Sequence, residues 1–308
     1  MKNKIIAIFI AFGLVGSACA IEINKNLSIN GFIDGSYQHA EGAATEQGLG
    51  LDEIEVDFLF NAGAASGAIH LDDSDDGSTT SDVNVEQAFL GYSLGNGVSF
   101  TLGRYGSLLG FEREDPTSLS TFSRAYGDSN FNLGDVDANV DEGLRVSYSS
   151  EAFSLAGSFQ NAGNSNVEAN DLDFEMAFAY TGIENLAFGG GYHFDNETSN
   201  AIETDVLNVH VAGTLGKLLL GAEFIEMENE GADLDGWMVL ADYDVNEDIG
   251  VVLRASSNET AGGGDYEKLT LAPSYLLRDS LRVILEYSDV EDAGADANEL
   301  ALEFLFTY

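Results

Sequence analysis

The chain has 308 residues, 44% of them hydrophobic, with 35 Gly and only 2 Pro, and its 53 Asp+Glu against 12 Lys+Arg give a formal charge of −41. That hydrophobic share excludes a disordered chain, and the acidity excludes nucleic acid as a partner. The charge favours instead a soluble surface or an acidic, water-filled interior.

Residues 1–20 read as a secretory signal cleaved near Ala20: Lys2 and Lys4 form the charged end, Ile5 to Val15 the apolar stretch, and Ala18-Cys19-Ala20 the small-residue cleavage site. The apolar stretch is too short to span a bilayer. Cys19, the only cysteine, has a second reading as a lipidated first residue, although Gly16-Ser17-Ala18 lacks the large aliphatic residue expected three positions before such a cysteine. On either reading the chain is exported and relies on neither disulfides nor a cysteine-bound metal.

After residue 20 the apolar residues alternate, and no segment repeats with a helical period. Period-two reading predicts about sixteen strands, near 26–39, 51–61, 64–73, 83–94, 98–105, 140–149, 152–161, 171–181, 185–195, 202–215, 217–228, 235–245, 249–257, 266–276, 280–289 and 299–308. Their connections alternate in kind. Short ones carry turn chemistry, as in Gly95-Asn96-Gly97, Gly182-Ile183-Glu184 and Asn246-Glu247-Asp248. Long acidic ones cover Asp72 to Ser81, Asn161 to Asn170, Asn196 to Ala201, Asn258 to Asp265 and Asp289 to Asn298. Short turns at one rim and long loops at the other, with an even strand count, predict an all-β fold: a closed antiparallel 16-stranded transmembrane β-barrel over residues 21–308.

The two faces of each strand support this. Ile54/Val56/Phe58/Phe60, Leu144/Val146/Tyr148, Leu172/Phe174/Met176/Phe178/Tyr180, Trp237/Val239/Tyr243 and Leu281/Val283/Leu285/Tyr287 are predicted to face lipid. Alternate positions are polar or small, and they place Asp34, Glu55, Asp57, Glu86, Asp173, Glu175, Glu223, Asp242, Glu286 and Glu303 in the lumen against Arg145, Arg254, Lys268 and Arg282. A soluble sandwich or solenoid also alternates, but strands of about ten residues match the span of a tilted membrane strand. Arg104 shares parity with lipid-facing Phe100 and Leu102, so either a bulge at Gly103 turns it inward or the register fails there.

The last strand, with Phe304, Phe306 and the terminal Tyr308 at alternate positions, resembles the carboxy-terminal sorting signature of bacterial outer-membrane proteins, which the barrel-assembly machinery reads. A second resemblance lies in Gln87 to Tyr126. Gln87-Ala88-Phe89, Leu102 to Tyr105, Leu109 to Glu112 and Ser123-Arg124 are similar to the core of the OmpL-like β-barrel porin family, over roughly forty residues. That resemblance implies a channel without naming its solute.

One connection, residues 106–139, is far longer than the rest, and such a segment inside a compact domain is usually functional or disordered. It is the third long loop, the position at which general porins fold a loop into the barrel as the constriction. By that resemblance Glu112, Glu114, Asp115 and Asp128 would face the wall arginines Arg145, Arg254 and Arg282 across the narrowing, with Arg113 and Arg124 pinning the loop. The expected function is passive diffusion of small hydrophilic solutes with a preference for cations, because a low-dielectric wall focuses the field of the lumen acids. The expected partners are outer-membrane lipid and lipopolysaccharide, the assembly machinery and, by resemblance to general porins, two further copies in a homotrimer. A non-conducting barrel acting in adhesion or surface structure is the alternative.

Enzyme chemistry and cofactors are not expected. His39, His70, His193 and His210 fall on separate predicted strands, without a serine nucleophile motif or a metal-binding His spacing. Asp72-Asp73-Ser74-Asp75-Asp76-Gly77 evokes a calcium loop but lacks the closing Glu, and reads as a solvated loop.

Overall fold

The computed structural model describes residues 20–42, 45–74, 83–113, 115–127, 131, 133, 140–161, 172–196, 204–229, 232–260, 263–278 and 280–308. The expected export signal, Glu114 and Asp128 lie outside the described residues. Period-two alternation yields seventeen strands: Ile21–Asn24 (β1), Leu27–Glu41 (β2), Thr45–Ala62 (β3), Ala65–Ser74 (β4), Asn84–Gly95 (β5), Val98–Gly106 (β6), Val140–Ser149 (β7), Phe153–Asn161 (β8), Leu172–Ile183 (β9), Leu186–Phe194 (β10), Thr204–Leu215 (β11), Leu218–Asn229 (β12), Ala232–Asp244 (β13), Ile249–Glu259 (β14), Asp265–Arg278 (β15), Leu281–Asp292 (β16) and Ala295–Thr307 (β17).

Each strand from β2 onward pairs antiparallel with the next, and β17 returns to β2, from Thr307 opposite Phe32 to Asn298 opposite Glu41. The result is a closed barrel of sixteen strands, without the open edge that hydrocarbon would leave unsatisfied. The seventeenth strand, β1, escapes the sequence reading because four residues are too few for a pattern. It pairs with β2 at Ile29 to Leu27, just beyond the point where β17 ends, so β1 and β17 share one edge of β2.

Oily side chains turn outward. Leu144, Val146, Tyr148, Leu155, Phe178, Trp237, Val239, Leu285, Tyr287, Phe304 and Phe306 are exposed, whereas Glu55, Asp57, Arg145, Glu175, Glu223, Arg254, Glu286 and Glu303 are buried inside the ring. A soluble sandwich would show the reverse arrangement.

Two bulges adjust this alternation. Between β2 and β3, Asp34 faces Glu53 but Gly35 faces Leu51, so Asp52 is the extra residue. The slip lets Leu49 and Leu51 point outward although they share parity with inward Glu53 and Glu55. Between β4 and β5, His70 faces Gln87 and Leu71 faces Val85, which makes Glu86 the extra residue and turns it inward. No bulge occurs at Gly103: the ladders run through it on both sides, and Arg104 stays on the outward parity opposite Glu142 of β7.

Several connections differ from the expected lengths. The predicted Asp289 to Asn298 loop is a tight turn at Ala293-Gly294, since β16 runs on to Asp292 and β17 begins at Ala295. Likewise β14 reaches Glu259 and β15 starts at Asp265. Acidic residues can pair in a ladder once it rises past the apolar zone, and loop-like composition conceals that extension.

The terminal residue is held on both sides. Gly31 and Tyr308 exchange backbone hydrogen bonds, and the Tyr308 hydroxyl donates to the Glu55 carbonyl at 3.2 Å. A Cβ on Gly31 would lie 2.1 Å from that carbonyl oxygen and 2.9 Å from the Tyr308 hydroxyl, so only glycine admits the ring here.

Candidate functional site

The described part of the segment between β6 and β7 lies against the inner wall, and the attachment is made mostly by wall side chains gripping loop backbone. Glu175 of β9 accepts from Ser107 Oγ (2.5 Å) and from the Leu108 N–H (3.0 Å). Glu223 of β12 accepts from the Phe111 N–H (2.6 Å), Asn208 Nδ2 (2.8 Å) and the Tyr126 hydroxyl (3.0 Å). Glu286 of β16 accepts from the N–H groups of Phe122 (2.8 Å) and Ser123 (3.1 Å). A loop packed inside a barrel must satisfy its amides there, and the carboxyl oxygens of the wall do so.

Wall arginines hold the carbonyls. Arg145 of β7 donates to Gly106 O (2.7 Å), with its guanidinium 4.1 Å from the Tyr105 ring centroid. Arg254 of β14, with no solvent exposure, donates to Ser123 O and Arg124 O at 2.7 Å each and to Glu112 Oε2 at 2.7 Å. Arg282 of β16 donates to Pro116 O (3.1 Å) and Leu119 O (3.2 Å). Within the loop, Arg113 donates to Ser107 O and Arg124 to Arg113 O.

Apolar packing completes the attachment. Leu108, Leu109, Phe111, Tyr126, Phe131 and Leu133 are buried in one cluster with Ile225, Leu234, Met238 and Leu240 of the wall. Small wall residues make the room: a Cβ on Gly191, Gly221 or Gly236 would come within 2.6, 2.4 and 2.6 Å of Leu109, Phe111 and Phe131 respectively. Each large apolar side chain taken out of water stabilises the arrangement by about 1.5–3 kcal/mol.

The loop thus fills the β9–β16 side of the lumen. On the β2–β7 side there remains a chamber of about 560 Å³ whose lining includes Asp57, His70, Gln87, Tyr105, Arg113 and Asp115. Burial, and then the Asp57 carboxylate, pushes the Asp115 carboxyl up from its usual range.

These features match known proteins. The model of the Gram-negative porin family matches residues 7–295. The chain belongs to the Gram-negative porin family. Solved structures share its fold. OmpF of Salmonella typhi, in complex with daunomycin, has a TM-score of 0.70 at 13% identity, covering 94% of this chain and 100% of that one. An anion-selective porin from Comamonas acidovorans has 0.67 at 14%, covering 92% and 99%, and OmpT of Vibrio cholerae has 0.65 at 17%, covering 94% and 100%. No curated protein matches the chain. The family and the barrel place this porin in the bacterial outer membrane, with the apolar band of its outer face in lipid.

Set against the sequence expectations, the porin brings Glu112 and Arg254 into direct contact and puts Arg145 and Arg282 on loop carbonyls. Asp115 lies beside Glu55 of the opposite wall. Of the acids predicted for the lumen, Glu175, Glu223 and Glu286 are engaged with the loop, while Asp173 accepts from the Asn196 N–H (2.9 Å) on the inner face of β9. Asp242 sits on β13, opposite Val252 of β14. Sequence reasoning missed Ser107, Asn208, Tyr126 and the apolar loop residues. Leu108-Leu109-Gly110-Phe111, an oily run inside an acidic loop, was the available signal.

Proposed function

We propose that this porin is a non-enzymatic channel for passive diffusion of small hydrophilic solutes, and that it prefers cations. The observation that carries the sign is an imbalance. Arg254 and Arg282 are spent on loop carbonyls among Glu112, Glu223 and Glu286, and Arg145 is held by Gly106 O beside Glu175. On the chamber side five acids, Glu53, Glu55, Asp57, Glu86 and Asp115, gather around His70 against three bases, Arg113 and Arg124 from the loop and Arg145 of the wall. Water enclosed by a low-dielectric wall concentrates counter-ions of the surplus charge, here cations. Asp115 of the loop, together with wall residues Glu55 and Asp57, would border the narrowing, and Glu112 would fix the loop rather than face the stream.

The fold itself carries no sign, since one structural neighbour is an anion-selective porin. Homotrimer assembly is part of the proposal and is supported by a V. cholerae OmpT structure described as a trimer form. So are contacts of the outer band with lipid and lipopolysaccharide, and reading of Phe304, Phe306 and Tyr308 by the assembly machinery. The test is a reversal potential in a planar bilayer under a KCl gradient. A cation-signed value that falls toward zero in Glu55→Gln/Asp57→Asn supports the reading. Anion preference rejects it, and electrical silence returns the barrel to an adhesive or structural role.

A further inference from the structure

The chamber ceiling holds a group of side chains that passive diffusion does not require. Glu55 and Asp57 of β3 and His70 of β4 bring their ligand atoms within 4.8 Å of one another, with His70 Nδ1 3.0 Å from Glu55 Oε1 and 2.9 Å from Asp57 Oδ1. Asp57 and His70 are directly paired across the β3–β4 ladder, so the backbone itself sets their spacing. Glu55 also forms a second trio with Glu53 and with Asp115 of the loop, again within 4.8 Å.

A second observation separates this corner from a solvated acidic patch. Glu55 is only 1% exposed, and its Oε2 accepts no hydrogen bond from a described donor. His70 Nδ1 faces both carboxylates at once, Glu55 Oε1 at 3.0 Å and Asp57 Oδ1 at 2.9 Å. Buried carboxylate oxygens without a partner are costly, and a multivalent cation removes that cost for several at once. One imidazole nitrogen with carboxylate oxygens suits a borderline ion better than Mg²⁺ or Ca²⁺, which take oxygen-only shells. Asp57, His70 and Asp115 line the chamber, which gives an ion its route in.

We propose that Glu55, Asp57 and His70 form a binding site for a divalent cation of the Zn²⁺ class, with Asp115 closing on it from the loop so that occupancy clamps the loop to β3 and narrows the passage. The site goes beyond the diffusion reading and does not depend on it, because binding is measurable without conduction.

The test is calorimetric titration of Zn²⁺ into the purified, chelator-treated barrel, with heat-modifiable gel mobility as the check that each variant is folded. Losing even an outer-sphere partner costs a metal site about 10–100-fold in affinity, so His70→Ala and Asp57→Asn should each weaken binding by more than about tenfold. Asp115→Asn, on the loop and outside the barrel wall, should weaken it too and serves if a wall variant fails to fold. Equimolar Mg²⁺ should not displace the Zn²⁺, and Zn²⁺ should reduce single-channel current in the parent but not in His70→Ala. Absence of binding, binding indifferent to these substitutions, or displacement by Mg²⁺ would overturn the proposal. A silent channel that still binds Zn²⁺ would instead refute only the diffusion reading.

Discussion

Replacing Arg254 by leucine should free the loop while sparing the barrel. The guanidinium is fully buried and makes four hydrogen bonds to the loop: to Glu112 Oε2, Ser123 O and Arg124 O at 2.7 Å each, and to Ser123 Oγ at 3.2 Å. Arg254→Leu strands the Glu112 carboxylate, whose side chain is 10% exposed. Breaking a buried ion pair by removing one partner costs about 3–5 kcal/mol, and every 1.4 kcal/mol is about tenfold, so loop detachment becomes about a hundredfold to a few thousandfold more favourable. The wall ladder around residue 254 is backbone-made and should persist. In planar bilayers the variant should therefore show larger or noisier single-channel steps at unchanged strand content by circular dichroism. Substituting both partners, Arg254→Leu with Glu112→Leu, should recover much of the quiet conductance, because no charge is left buried alone. Unchanged conductance and unchanged thermal stability in the single variant would refute this account of how the loop is held.

Gly221→Val should force the Phe111 ring off the wall, at about 1–3 kcal/mol of overpacking, and lower the temperature at which the folded gel band is lost. Tyr308→Ala removes the hydroxyl bond to the Glu55 carbonyl and the ring stacked on Phe306, and should reduce the yield of folded barrel in outer-membrane fractions. Glu223→Gln keeps the shape but weakens three acceptor contacts, and should increase protease cleavage within 107–127 relative to the parent.

The barrel was legible because lipid imposes a rule on every second residue. Ladders such as Leu144-Arg145-Val146-Ser147-Tyr148 state their two faces in five letters. Loop lengths were less legible, since Asp289 to Asn298 has loop composition yet spends most of its length in β16 and β17. Alternation puts the acids on one face, but parity cannot tell Glu175, which grips Ser107 and Leu108, from Asp57, which lines the chamber. That difference depends on which part of the ring the loop covers. The glycines at 191, 221 and 236 mark that side, but a glycine in a strand has many causes, and only contact with Leu109, Phe111 and Phe131 singles these out.

Diffusion through this barrel depends on water filling the β2–β7 side of an otherwise packed lumen, and cysteine accessibility measures that directly. Thr101 lines the chamber, Leu102 beside it is half exposed on the outer face, and Ile225 is sealed beneath the loop. In a background lacking Cys19, a charged thiol reagent should modify Thr101→Cys and change the current, and should leave Leu102→Cys and Ile225→Cys in membrane-embedded protein untouched. Modification at 102 or 225 with protection at 101 would contradict the placement of the passage and the channel built on it.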